Sequence, residues 1–469
     1  VQYRHEEKEG KMATAGSFFF NAAQLVEPVD YVTDQVDASV SYSASNWQAK
    51  LAYYGSMFDN KDQSLLWQNA YTPLVAGADE GQLALPPDNQ FHQIVLSGAY
   101  QLSDSTQASA DLAVGRMEQD ENFLPATVNT SLGGAPLPRN SADAEVDTLT
   151  ANFRVVSAVT DKLRLNGAFT YNDRDNDTPQ STYSWVTTDS FVATPRTNQP
   201  YSFTQSELKL SGDYRVDKST KVSAGFDHDR HERTRQEVNT TRENTVWGKL
   251  SRRAGDNLDL SLKFAHAERD NSPYKTAPDV DPEQNPLLRK YNLADRTRNS
   301  AEFHASLIPH ERVNLGIAVD FARDDYSRSQ LGLTDAHELG LNADASVLLT
   351  EKTSVHLFVG RERIRSKQAG SQSGSIPDWF ARNDDTITSA GIGIAHQLIA
   401  DKLDVGADYV TIRSTGKIDV DSGTPDPPFP DLKTDLDSLK LYANYRLRED
   451  TVSYTHLRAH ETRAFISYA

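Results

Sequence analysis

The sequence predicts an all-β protein, a large antiparallel up-and-down β-barrel that crosses a membrane. Three observations predict it. One amphipathic hairpin unit recurs about every 35 to 60 residues along nearly the whole chain. Its strands alternate apolar and polar residues at period two, so one face is greasy and the other wet. Tight polar turns alternate with long polar loops, the asymmetry of an outer-membrane wall.

Composition agrees with strands and excludes a helical span. The chain is 38% hydrophobic with a mean hydropathy of −0.60, and no run approaches the roughly 18 apolar residues that a spanning helix needs. A wall with one face on lipid and one on a wet lumen is only half apolar, so low hydropathy is what it requires. The chain has no cysteine, which removes disulfides, thiolate metal sites, a thiol nucleophile and CxxCH haem attachment. Any haem therefore belongs to a partner. The charge of −18, from 66 acidic and 48 basic residues, argues against a nucleic-acid partner, which needs a basic footprint. No leader-like apolar run precedes the opening Val1-Gln2-Tyr3-Arg4, and we expect the N-terminal part of the gene to lie upstream.

In chain order, the first hairpin carries Val36, Val40 and Tyr42 before Leu51 and Tyr53. The second carries Ile94, Leu96, Tyr100 and Leu102, turns at Ser103-Asp104-Ser105-Thr106, and resumes with Ala108, Ala110, Leu112 and Val114. Leu149, Ala151, Phe153 and Val155 precede Leu163, Leu165, Phe169 and Tyr171, and Leu208, Leu210 and Tyr214 precede Val222, Ala224 and Phe226. Val246 and Leu250 answer Leu258, Leu260, Leu262 and Phe264. The clearest unit places Ala301, Phe303, Ala305 and Leu307 before Pro309-His310-Glu311-Arg312, then Val313, Leu315, Ile317, Val319 and Phe321. Leu339 to Leu349 precede Val355, Leu357 and Val359; Ile392 and Ile394 precede Leu403, Val405, Ala407 and Tyr409; Leu439, Leu441, Ala443 and Tyr445 close the series.

Each strand reads as about 9 to 12 residues, the length that crosses hydrocarbon at a tilt, and only a closed barrel satisfies every strand edge in lipid. The segments Asn60–Asn89, Asn172–Pro200, Asp270–Asn299 and Ser414–Thr434 read as extracellular loops. Tyr42, Tyr53, Tyr100, Tyr171, Tyr214, Phe321, Tyr409 and Tyr445, near strand ends, fit an interfacial girdle.

Chemistry-bearing clusters are few. Asp173-Arg174-Asp175-Asn176-Asp177 and Asp279-Val280-Asp281-Pro282-Glu283 could offer oxygens to a hard cation, but neither has EF-hand spacing. His228, Asp229, Arg230, His231 and Glu232 resemble a ligand cluster, yet His228 and His231 point to opposite faces of a strand. No GxSxG, GxxxxGK[ST] or HExxH motif occurs. No catalytic, cofactor-binding or metal residue is assigned, and no enzymatic activity is expected.

Several stretches carry a family resemblance: DNQFHQ at Asp88–Gln93, GRMEQDENFLP at Gly115–Pro125, LPRNS at Leu137–Ser141, YNDRDNDTP at Tyr171–Pro179, RENTVWGKL at Arg242–Leu250 and NPLLRKYNLADR at Asn285–Arg296. In order and spacing they resemble the MtrB/PioB family of decahaem-associated outer-membrane barrels. The resemblance implies a barrel of some 26 strands in the bacterial outer membrane. It would sheathe a periplasmic decahaem c-type cytochrome, meet an extracellular multihaem cytochrome and carry no cofactor of its own. This chain departs from the family in lacking its N-terminal cysteine-containing segment and in showing about seventeen or eighteen strands. Residues 1–452 are thus expected to form a barrel segment truncated at both ends. The tail 453–469, opening Ser453-Tyr454-Thr455-His456, reads as translated sequencing adapter. A diffusion porin or outer-membrane transporter stays open as the alternative, and a barrel hydrolase is the enzymatic one.

Overall fold

The computed structural model describes the chain apart from residues 19–20, 74, 133–135, 188–189, 276–283, 426, 449–450 and 468–469, and along 185–194 and 447–469 it describes the backbone only. The strands are β1 (Gln2–Phe18), β2 (Asn21–Ser43), β3 (Trp47–Asn60), β4 (Ser64–Gln68), β5 (Glu80–Ala84), β6 (Asn89–Ser103), β7 (Thr106–Gln119), β8 (Ala144–Ala158) and β9 (Leu163–Asn176). They continue with β10 (Thr182–Thr187), β11 (Ser190–Thr197), β12 (Phe203–Arg215), β13 (Thr220–Arg233), β14 (Thr240–Ala254), β15 (Leu258–Asn271), β16 (Leu288–Arg289), β17 (Arg296–His310) and β18 (Val313–Asp325). The last are β19 (Leu331–Thr350), β20 (Thr353–Gly370), β21 (Trp379–Ile399), β22 (Leu403–Asp421), β23 (Asp431–Arg448) and β24 (Thr451–Ser467).

Twenty of these form one sheet, and β4–β5 and β10–β11 form separate two-stranded ribbons in the loops. Every long strand pairs antiparallel with the long strand next in the chain, for example β9 with β12 and β15 with β17. The two-residue β16 instead pairs parallel with β19. The architecture is the up-and-down antiparallel wall of a large barrel, as the hairpin repeat requires. Short turns close on themselves: the Asp217 carboxylate accepts the N–H groups of Ser219 and Thr220 at 2.7 and 2.8 Å, and Thr160 Oγ1 accepts those of Lys162 and Leu163. Such side-chain caps supply the backbone's missing partners within a few residues.

Two expectations need correction. Wall strands run from 13 residues in β12 and β18 to 23 in β2, longer than the 9 to 12 read from apolar alternation. Lipid demands an apolar face only across its own thickness; beyond it the ladder continues as a hydrated ribbon whose outward residues are polar, and the pattern that marks a strand stops before the strand does. For the same reason the loop read as Ser414–Thr434 narrows to 422–430, and those at Asn60–Asn89 and Asn172–Pro200 contain ribbons of their own. β1 is the extreme case. It pairs with β2 from Gln2↔Asp37 to Phe18↔Asn21, so nearly all of it lies beyond the apolar stretch of β2. No apolar alternation marks it. The backbone of 451–467 forms β24 against β23.

Among the described residues, neither face of the wall is covered by a protein layer. Apolar burial gathers instead in the loops, where Val238, Leu293, Ala294, Tyr326 and Leu331 are buried together with Glu237. A second small core joins the β1–β2 hairpin to the β4–β5 ribbon through Phe18, whose ring meets Trp67 edge-on at 5.8 Å.

Candidate functional site

The wall has two faces, assigned by the rule that lipid takes the apolar one. On β15 the outward residues run Leu258, Leu260, Leu262 and Phe264 before turning polar at His266 and Glu268. That apolar run spans about 20 Å along the strand. The aromatics bracket the belt in two tiers. Tyr42, Tyr100, Tyr214 and Tyr445 lie near the short turns, where Tyr42 packs on Trp47 at 5.1 Å. Tyr53, Tyr171, Phe321 and Tyr409 lie toward the loops. Just beyond this second tier comes a rim of cross-strand polar pairs: Tyr53 with His92 at 2.8 Å, His228 with Asn244 at 2.7 Å, His266 with Asn299 at 2.8 Å, and Arg116 with Asp147 at 2.8 Å. Each pair satisfies two polar groups where water thins out.

The lumen face is polar, and several of its rings lie flat on the wall. On β13–β14 and β20–β23 its large side chains are laid over cross-strand glycines. Trp247 covers Gly225, Phe358 covers Gly391, His356 covers Gly393 and Tyr442 covers Gly406. Each pair stands directly opposite in register, and a Cβ on any of these glycines would collide with the ring above it. A missing side chain is therefore what lets a ring lie along the wall rather than stand into the lumen.

The quarter of the lumen formed by β18–β22 is acidic. Asp320 and Asp324 on β18, Glu338 and Asp344 on β19, Glu362 on β20, Asp385 on β21, and Asp404 and Asp408 on β22 share the inward parity. Among the described residues these five strands place no Lys or Arg on that face. Asp324 and Glu338 are neutralised from β17 by Arg298, and Asp324 also by Arg296, itself bonded to Glu243 at 2.8 Å. Beside the others, His356 Nε2 lies 3.5 Å from Asp408, and Lys440 on β23 stands across from Asp408 in register. At the short-turn end the lumen opens into a 660 Å³ recess lined by Arg215, Lys218, Arg253, His304 and Asp344.

The clusters picked from sequence separate. His228 faces outward onto Asn244; His231 faces the lumen, 2.7 Å from Arg233 and edge-on to Phe203 at 5.2 Å. In the 173–177 cluster, Asp173 accepts the Thr204 hydroxyl at 2.7 Å and Asp175 that of Ser202 at 3.1 Å. Asp177 converges with Glu145 and Asp147, but Arg116 already pairs both of the latter, at 2.9 and 2.8 Å. A cation there would compete with a resident guanidinium. The cluster Asp279–Glu283 lies outside the described residues. The acidic lumen quarter and its ring-on-glycine pairs were not read from sequence, because which inward positions stand side by side is set by strand register.

The family model for an outer-membrane β-barrel porin, MtrB/PioB, matches residues 1–459. The chain belongs to the MtrB/PioB family. Outer membrane protein MtrB of Shewanella baltica (strain OS185) is 35% identical to it over 451 residues, covering 96% of this chain. The chain spans 64% of that relative's length. Among solved structures, the siderophore receptor PirA from Acinetobacter baumannii matches with a TM-score of 0.51 at 7% identity, over 94% of this chain and 72% of that one. The ferric enterobactin receptor of Pseudomonas aeruginosa matches with 0.51 at 8% identity, over 95% and 72%. At such identities the likeness is one of fold: an outer-membrane barrel. Like the rest of the MtrB/PioB family, this chain is an outer-membrane protein, and its apolar belt is the part that meets lipid.

Proposed function

We propose that this protein is the structural sheath of an electron conduit across the bacterial outer membrane. It holds a periplasmic decahaem c-type cytochrome inside its lumen and presents it to an extracellular multihaem cytochrome. The observation that carries this reading is in the lumen wall, where Trp247, Phe358, His356 and Tyr442 lie flat over glycines. A diffusion channel selects solutes by side chains that stand into the lumen; rings laid flat on the wall leave room for a wide, rigid occupant. With no cysteine, the chain cannot anchor c-type haem, so the redox groups are the partner's. The barrel's own work is to position that partner, screen it from hydrocarbon and leave catalysis to it.

The test is co-purification. The barrel, co-expressed with a multihaem c-type cytochrome, is isolated from outer membranes and stained for haem. Proteoliposomes loaded with reductant are then asked to reduce an external acceptor. Haem-staining protein held by the barrel, with acceptor reduction, is the expected result. A haem-free barrel that passes small solutes would make it a porin.

A further inference from the structure

The lipid-facing side of β20 carries four cations in succession. Leu357 and Val359 end its apolar run, and Arg361, Arg363, Arg365 and Lys367 follow at every second position, all exposed. The row rises about 20 Å along the strand and starts where the belt stops. Short turns lie on the periplasmic side of such walls, so the row stands at the headgroup level of the outer leaflet. Arg382 on β21 stands directly across from Lys367.

Carboxylates cancel only part of this charge, and Asp419, which stands across from Arg382, forms no ion pair with it. Asp384 pairs with Arg363, and with Arg365 at 3.3 Å. Asp335, across from Lys367 on the other side, meets Arg323 at 3.4 Å and His337 at 2.7 Å. Among the described residues Arg361, Lys367 and Arg382 carry no ion pair. The rim elsewhere is balanced differently: on β7–β8 Arg116 answers both Glu145 and Asp147.

We propose that this face of β20–β21 binds the phosphate groups of phosphorylated glycolipids in the outer leaflet. Guanidinium groups clamp phosphate oxygens bidentately and Lys adds a point charge, while Leu357 and Val359 directly beneath take the acyl chains. The binding is independent of whether the lumen holds a cytochrome.

The test uses the protein purified from outer membranes and placed in phosphatidylcholine nanodiscs with or without bis-phosphorylated lipid A, with bound lipid counted by native mass spectrometry. The variant R361Q/K367Q/R382Q should lose lipid A affinity by about fivefold for each cation removed. Wild-type protein should hold dephosphorylated lipid A no better than the variant holds the intact lipid. The single variant R361Q, expected to lose about fivefold, carries the test if the triple variant does not assemble. Equal retention of lipid A by wild type and variant overturns the proposal. So does full displacement of lipid A by inorganic phosphate at equal concentration, which would mark a free-phosphate site.

Discussion

The His356 imidazole lies along the barrel wall directly over the Cα of Gly393, its cross-strand partner on β21, with Nε2 3.5 Å from Asp408 on the next strand. The ring occupies the space a side chain at 393 would need. Two properties of the lumen meet at this point: its flatness and its negative charge.

Replacing Gly393 by Val should lift His356 off the wall. Overpacking of this kind costs about 1–3 kcal/mol, read as a lower unfolding midpoint on heat-modifiable gels, and the raised ring should reduce retention of a lumenal partner. The double variant G393V/H356A should recover part of both, since the Asp408 carboxylate also crowds the position of a side chain at 393. If G393V alone keeps wild-type midpoint and haem retention, the flat-wall argument is wrong.

Neutralising the acidic quarter should loosen a basic partner surface. The variant D344N/D385N/D408N is expected to release the partner at lower salt than wild type, by about 0.2–1 kcal/mol per pair lost. Haem stain remaining on the immobilised barrel across a salt gradient measures this. Identical elution of variant and wild type would show that the partner docks elsewhere.

Charge on the two faces should have opposite consequences. Leu357→Arg places a cation in the lipid belt, where the cost falls from about 2–4 kcal/mol at mid-bilayer toward about 1 kcal/mol at the interface, and should lower the yield of assembled barrel. Ser389→Arg, on the lumen face of the neighbouring strand, should assemble normally and affect only what the lumen holds. Equal assembly defects would refute the assignment of faces.

The β20–β21 loop should loosen in acid. Asp378 accepts the N–H groups of Gln372 and Ser373 at 2.8 and 2.9 Å, and these bonds hold its carboxyl below the usual carboxylate range. A lowered folded-state pKa means a contribution that is complete above the unfolded value of about 3.9 and is lost as pH falls through the folded one. Protection factors of the 372 and 373 amides, normalised for intrinsic exchange, should be flat from pH 7 to 5 and fall below about 4. The Asp378→Asn variant should be unprotected at both ends of that range. Equal protection in the variant at neutral pH would show that the loop is held otherwise, for instance by the Asn285 amide on the Ser375 carbonyl at 2.8 Å.

Sequence alone determined the all-β class, the hairpin repeat, the belt and its bracketing aromatics. These follow from a period of two imposed by lipid on every strand that crosses it, and Leu258, Leu260, Leu262 and Phe264 or Val313 to Phe321 display it without a partner strand in view. It also separated His228 from His231, since parity is local. Only the tertiary structure decided where strands end, because beyond the lipid a ladder such as β1 on β2 is held by backbone bonds that ask nothing of side-chain polarity. Only it brought Asp177 to Glu145 and Asp147, set Trp247 over Gly225 and His356 over Gly393, and gathered the inward positions of five strands into an acidic quarter edged by Arg296 and Arg298. Those are relations of register between chain segments, and a one-residue slip in any hairpin would have turned each of them to the other face.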